Sequence, residues 1–316
     1  MNRIVARISN GLGNQMFLYA FAYVLSKNLN RNLELDIISG INSDIKKSIK
    51  KKFKNFEPKY LLNHFNITSN IASKNFCFDG SFLNIYRKFL IFCDKFSIKK
   101  RFIIEHRNKK KITFYKNYLA ILNNSKLHNT IFIEGHFESS KYFANYKKEL
   151  LKEFSLSKKI ICNNKFENKI LNSNSISIAF RADRYSEYIE DDLDLIKTNK
   201  TKIFEMKQLD YINRSINFFR SKISNPQFFI FSDNPKKIPS VLIDKKNIHI
   251  IDAYISNKAI EDFYLMSLCK HFAVGPTSFH FWPAWLSENQ NKICVFPKDI
   301  NPSNNLDFWP DEWIKI

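Results

Sequence analysis

"GLGNQMFLYAFAYVLSKNLNR", residues 11–31, follows the apolar run Ile4-Val5-Ala6-Arg7-Ile8 and leads into a second run, "LELDI" (33–37). Within 14–29, Phe17, Ala20, Phe21, Val24 and Leu25 recur at helical spacing. Strand, helix and strand in about 30 residues make a βαβ unit, which commits the chain to a parallel sheet. Only 6 glycines occur in 316 residues, and two of them, Gly11 and Gly13, stand here. Glycine suits a tight turn or backbone that must approach a ligand closely. The reading is a turn that bends at these glycines and presents the amides Asn14 and Gln15 at a helix mouth.

A dinucleotide-binding fingerprint requires a third small residue, and Met16 stands there instead. Asp36 closes the second strand as an NAD-binding acid would, but the helix packing that accompanies it is missing. Hydride transfer is therefore a poor fit, and side-chain amides favour a hydroxyl-rich ligand.

The second half repeats the alternation. "ISIAF" (176–180), "FFIF" (228–231), "IHIIDA" (248–253), "HFAV" (271–274) and "KICVF" (292–296) read as strands. Helices are expected at 201–222, 258–269 and 279–288, and in the first half at 141–158, after a strand "TIFIEGHF" (130–137). Residues 40–125 are basic and aromatic, without clean punctuation. The polar stretch 162–175 is the boundary candidate, giving domains 1–165 and 166–316. The expected class is α/β, with helices flanking parallel sheets.

The bulk properties narrow the partners. No apolar run approaches the ~20 residues that span a bilayer. Arg3 and Arg7 interrupt the first apolar stretch, which reads as a strand and not as a signal peptide. Five scattered cysteines with no C-x-x-C pair argue against a disulfide framework and a zinc site, and for a reducing, cytoplasmic setting. Sequons at Asn66 and Asn199 are accidents of an Asn-rich composition. The net charge of +20 concentrates at 45–59 and 99–111, each with seven basic residues. Neither stretch carries a nucleic-acid motif, which leaves a solvated lysine surface or peripheral contact with an anionic membrane.

Ligands of open α/β sheets bind beyond the carboxyl ends of the strands. Arg181, Ala182, Asp183, Arg184 and Tyr185 follow "ISIAF"; Ser232, Asp233 and Asn234 follow "FFIF"; "GPTSFHFW" follows "HFAV". Thr277 or Ser278 can cap the next helix and leave its N–H groups for an anion. A cation, a carboxylate and a helix N-terminus on one rim suit a nucleotide. Each alone has a bland reading, as a surface ion pair or a helix cap.

The opening segment strongly resembles the first motif of the α-1,2-fucosyltransferase family (glycosyltransferase family 11). "IEGHFESSKYF" (133–143), "IAFRADRY" (178–185), "FIFSDNPK" (229–236) and "DFYLMSLCKHFAVGPTSFHFWPAWL" (262–286) resemble its further motifs in order. The resemblance implies a GT-B-like architecture, two Rossmann-like domains facing across a cleft. The second would hold GDP-fucose as donor substrate, with no metal and no other cofactor. The reaction would be inverting transfer of fucose to a hydroxyl, such as O2 of galactose, of a glycan or lipid-linked oligosaccharide bound for a surface polysaccharide.

Carried onto this chain, the resemblance makes Arg181 the cation that stabilises the leaving pyrophosphate. Gly11, Gly13 and Asn14 approach the donor from the first domain. Ser232 and Asp233 contact ribose or base, and Thr277, Ser278 and Phe279 sit at the nucleotide. The chain departs from the motifs at Ala179, Ala182 and Arg184, which replace His, Arg and Asp, and at Pro276, His280 and Phe281. Those changes leave open a different nucleotide sugar, or a protein that only binds nucleotide or glycan. No general base is assigned among Glu134, Glu138, Asp183 and Glu187. His136 and His280 read as packing or surface residues.

Overall fold

The computed structural model describes residues 2–50, 58–105, 126–160, 162, 164–182, 195–243, 246–255, 257–301 and 305–316. The chain divides into two compact units, one of Met1–Lys51, Phe56–Ser157 and Ser303–Pro310, the other of Lys52–Asn55, Lys158–Pro302 and Asp311–Ile316. The division falls at Ser157, short of the boundary expected after residue 165, and Ser303–Pro310 returns to the first unit before Asp311–Ile316 rejoins the second.

In the first unit, strands β1 (Arg3–Arg7), β2 (Asn32–Asp36), β3 (Asn70–Ile71), β4 (Lys100–Ile104) and β5 (Leu127–Glu134) form a sheet of order β3-β2-β1-β5-β4. Every pairing in it is parallel. Helix α1 (Leu12–Asn28) connects β1 to β2 and is buried on nearly every side, as an all-round apolar helix must be. Helices α2 (Ser39–Lys50), α3 (Ser81–Asp94) and α4 (Lys147–Glu153) also belong to the unit. The helix expected over 141–158 is cut down to α4, and the residues before it form two single 3₁₀ turns, Ser140–Tyr142 and Ala144–Tyr146.

The second unit contains helix α5 (Asn164–Leu171), β6 (Asn174–Phe180), helix α6 (Leu195–Lys222), β7 (Pro226–Ser232), the short helix α7 (Ser240–Ile243), β8 (Ile248–Ile250), helix α8 (Lys258–Ser267), β9 (His271–Ala273), helix α9 (Ser278–Leu286), β10 (Cys294–Phe296) and β11 (Ile314–Lys315). Its sheet runs β11-β10-β9-β6-β7-β8, again parallel at every pairing. Strand β6 is central and buried on both faces from Ser175 onward, the pattern of an interior parallel strand. Ile176, Ile178 and Phe180 belong to one core with Tyr211, Ile212, Ile216 and Phe219 of α6. The Tyr211 hydroxyl donates to the carbonyls of Val274 (3.0 Å) and Val295 (2.9 Å), tying α6 to the exits of β9 and β10.

Strand order reverses between β6 and β9 in the second unit and between β1 and β5 in the first. Crevices at such switch points are where open α/β sheets bind ligands. They sit at Arg181 and Gly275 in one unit, and at Ile8–Gly11 and Gly135–Phe137 in the other.

Candidate functional site

Arg181 leaves the carboxyl end of β6. The amide of Gln208, wholly buried on α6, accepts from Arg181 N (2.8 Å) and donates to Arg181 O (3.1 Å). The backbone is therefore fixed before the side chain begins. Its guanidinium pairs with Asp233 Oδ2 at 3.2 Å and remains about one-third exposed. Asp233 Oδ1 accepts from Ala182 N at 2.7 Å. Asp233 thus orients the arginine and the turn after β6 together. Ser232 Oγ accepts from Asn234 N (3.1 Å), holding the neighbouring β7 exit.

The third wall is the β9 exit. Thr277 caps α9, its hydroxyl accepting from His280 N (3.3 Å) and lying 3.0 Å from His280 Nδ1. That hydroxyl has a second lone pair and one proton, so it meets Nδ1 as donor or acceptor according to the imidazole tautomer. Burial, with Arg181 and Lys258 nearby, pushes His280 down to about 3. A neutral histidine therefore stands beside the arginine, packed against Gly275 and the cap of α9. Gly275 is obligatory here, since a Cβ on it would lie 2.7 Å from both Ala179 Cβ and His280 Nδ1. Ser278 and Phe279 head α9, and the Phe279 ring packs edge-on to Phe263 (centroids 6.5 Å). The first N–H groups of a helix have no partner within it and favour an anion.

Past β8, Lys258 Nζ donates to Tyr254 Oη and Asp262 Oδ2, both at 2.7 Å. Burial pushes Asp262 up to about 6 against the pull of Lys258, and its Oδ1 is buried without a hydrogen-bond partner. Arg181, Asp233, Thr277, Ser278, Phe279 and Ser232 thus share one rim, as their positions after strands required. Gln208, His280 and Lys258 join them. Only the topology could find these three, because a glutamine inside a helix carries no local signal of what it holds.

In the first unit the turn is built differently from the expectation. Gly11 is extended (φ −77°, ψ 171°) and Gly13 is buried in the first turn of α1, so neither supplies a left-handed residue. The left-handed position is Asn10, φ 64°. Asparagine tolerates that region because its short polar side chain bonds locally. Asn10 N donates to Asp44 Oδ2 (2.6 Å) and Asn10 O accepts from Gln15 Nε2 (2.8 Å). Gln15 also donates to Lys59 O and accepts from Leu61 N, so this amide is structural. Asn14 differs: its Oδ1 is buried with no hydrogen-bond partner, an acceptor held at the helix mouth. Asp36 caps α2 through Ser39 N (2.9 Å) and is spent on the fold.

Among the carboxylates weighed as bases, Glu134 is neutralised by Arg87, with Arg7 at 3.9 Å, and Glu138 is buried. Asp183 and Glu187 lie outside the described residues, as do Arg184 and Tyr185. Glu105, which no motif flagged, closes β4 and accepts from His136 N (3.1 Å) and Phe137 N. Burial pushes it up to about 7, and Glu138 adds to the rise. It pins a strained loop: Phe137 has φ 50°, and Gly135, at φ 141°, has no room for a Cβ against Glu105.

Two parallel α/β units, one with a fixed arginine and a helix N-terminus at its switch point, present a rim that suits an anionic ligand. The sequence profile of glycosyl transferase family 11 matches residues 3–316, and the chain belongs to that family; it is a glycosyltransferase. It is 26% identical over 329 residues to an α-1,2-colitosyltransferase of Escherichia coli, covering 100% of this chain and 99% of that protein. It is 24% identical to the O-antigen biosynthesis glycosyltransferase WbnK of Escherichia coli, over 98% of this chain and 99% of the relative. The fold is GT-B-like: the crystal structure of NodZ α-1,6-fucosyltransferase soaked with GDP-fucose superposes with a TM-score of 0.50, at 12% identity, over 90% of this chain and 93% of that one.

Proposed function

We propose that the protein transfers fucose from GDP-fucose to a hydroxyl of a surface-glycan acceptor, O2 of a galactose, with inversion and without a metal. The observation that carries this is Arg181, partly exposed at the end of the central strand and fixed by Gln208 and Asp233. As the bond to the anomeric carbon breaks, negative charge collects on the leaving pyrophosphate. Preorganised donors at that spot are the largest electrostatic contribution such a site can make. The Arg181 guanidinium offers a two-pronged fork, and the N–H groups heading α9 are further donors. The acceptor is a hydroxyl-rich glycan, in keeping with the O-antigen role in WbnK's name. Asn14 Oδ1, buried without a hydrogen-bond partner at the mouth of α1, is free to accept from a sugar hydroxyl.

A second reading keeps this chemistry and changes the sugar. A relative named for colitose, the 3-deoxy form of fucose, and the replacements at 179, 182 and 184 favour it. Thermal stability with GDP, GDP-fucose, GDP-colitose, GDP-mannose and UDP-galactose separates the two. At a ligand concentration about 100 times Kd, linkage adds about 2.7 kcal/mol. GDP and one GDP-6-deoxyhexose should shift the wild type, and Arg181→Lys should weaken the shift while keeping the pair with Asp233. Turnover of that donor should fall about 10²–10³-fold in the variant. Binding of GDP with no turnover of any GDP-sugar would leave a binding protein only, and no response to guanine nucleotides would overturn the donor assignment.

A further inference from the structure

Helix α3 is apolar on the wrong side. Its inner face is anchored: Leu90 and Ile91 pack on the core of Val5, Phe102 and Phe132, and Arg87 bonds Glu134. Its outer face carries Phe82, Ile85, Tyr86, Phe89 and Phe92, all exposed, with Phe82 at 80%. At 100° per residue these positions and Cys93 fall within an arc of about 120°. Phe96 continues the face, 77% exposed and paired edge-on with Phe92 at 5.4 Å. Contiguous exposed aromatics of this extent mark an interaction site. The helix cannot roll to hide them without breaking the inner contacts.

We propose that this face docks on an anionic lipid surface. Exposed Lys88, Lys95 and Lys99 fringe it. The sole acid of the helix, Asp94, has both oxygens on the backbone N–H groups of Arg101 and Phe102. The fringe is thus cationic, in a chain of net charge +20. A second copy would bring the same lysines face to face, whereas a layer of anionic headgroups neutralises them and takes the rings into the interfacial zone. Apart from Lys99, the basic stretches noted at 45–59 and 99–111 do not carry this proposal. Residues 51–57 and 106–111 lie outside the described residues, and much of 99–105 is strand β4. The docking surface is independent of which sugar the enzyme transfers.

The chain supplies its own reporter. Cys93 is exposed on this face, while Cys77, Cys162, Cys269 and Cys294 are buried. An environment-sensitive dye on Cys93 should shift to the blue with phosphatidylglycerol-containing vesicles and respond at least tenfold more weakly to phosphatidylcholine alone. In unlabelled protein, Phe82→Ser with Phe89→Ser should cut vesicle co-sedimentation tenfold or more, with the melting temperature and the response to GDP unchanged. Lys88→Gln with Lys95→Gln and Lys99→Gln should remove its salt sensitivity. Vesicle binding indifferent to these substitutions would overturn the proposal. So would a dye already blue-shifted and shielded without vesicles, or a dimer in the ultracentrifuge that the Phe82/Phe89 variant abolishes.

Discussion

Ala179 and His280 were separate departures in the sequence, and in the fold they flank the same glycine. The room left by a small residue at 179 is shared with an imidazole from α9, which Gly275 lets in. His280 is pushed down to about 3, so in the native state it stays neutral where an unfolded histidine titrates near 6.5. Between those values the unfolded chain binds more protons, and stability is lost as pH falls. Glu105 works in the opposite sense. Raised to about 7, it takes up a proton in the native state before the unfolded chain does, so stability is lost as pH rises from about 4.5 through 7. Thermal melts from pH 4 to 8 should show His280→Asn gaining relative stability at the acid end and Glu105→Gln gaining at the neutral end. Gln208→Ala, which leaves both backbone groups of Arg181 without these bonds, should lower kcat about 10-fold or more with a smaller change in KM. An unchanged kcat would refute the positioning role. None of these three residues was legible in advance, since burial and partners made them important and their residue type did not.

At the scale of elements, the strands of the second unit were readable because interior parallel strands are nearly continuous apolar runs. "ISIAF" became β6 with two residues added before it and none after, and "FFIF" became β7 with two added before and one after. The stretch 40–125 resisted because α3 violates the usual pattern, its apolar residues facing both the core and solvent. The two-residue strands β3 and β11 are too short to leave any periodic signal. Glycine use was also misplaced. Gly40, in the first turn of α2, is the close-approach position: a Cβ there would stand 1.9 Å from Ile8 O. Gly40→Ala should therefore drive α2 away from the β1 exit and destabilise the protein by more than about 1 kcal/mol, measured by urea unfolding. Tolerance of alanine would show that α2 shifts freely.

For the whole molecule, the decisive feature is a chain that does not stay in order. Between β10 and β11 of the second unit it returns to the first, where Asn305 Nδ2 donates to Glu138 O (2.8 Å) and Asp307 pairs with Lys141 (3.1 Å). Phe308 is fully buried with its ring 5.9 Å from Phe17. Phe308→Ala should cost about 3–5 kcal/mol, and the loss should appear in the stability of the first unit, nearly 300 residues away in sequence. Calorimetry of the variant would show the lowered transition, and an unchanged one would deny the segment any stapling role. What the sequence determined by itself was the α/β class, the order of the main strands and the rim positions after β6, β7 and β9. Hydrophobic period and place after a strand are local properties, readable along the chain. The tertiary structure alone decided which residue makes the first turn, which buried amide fixes Arg181, what stands beside it and where residues 305–308 pack. Each of those depends on contacts between residues far apart in sequence, formed only when parallel strands are brought side by side.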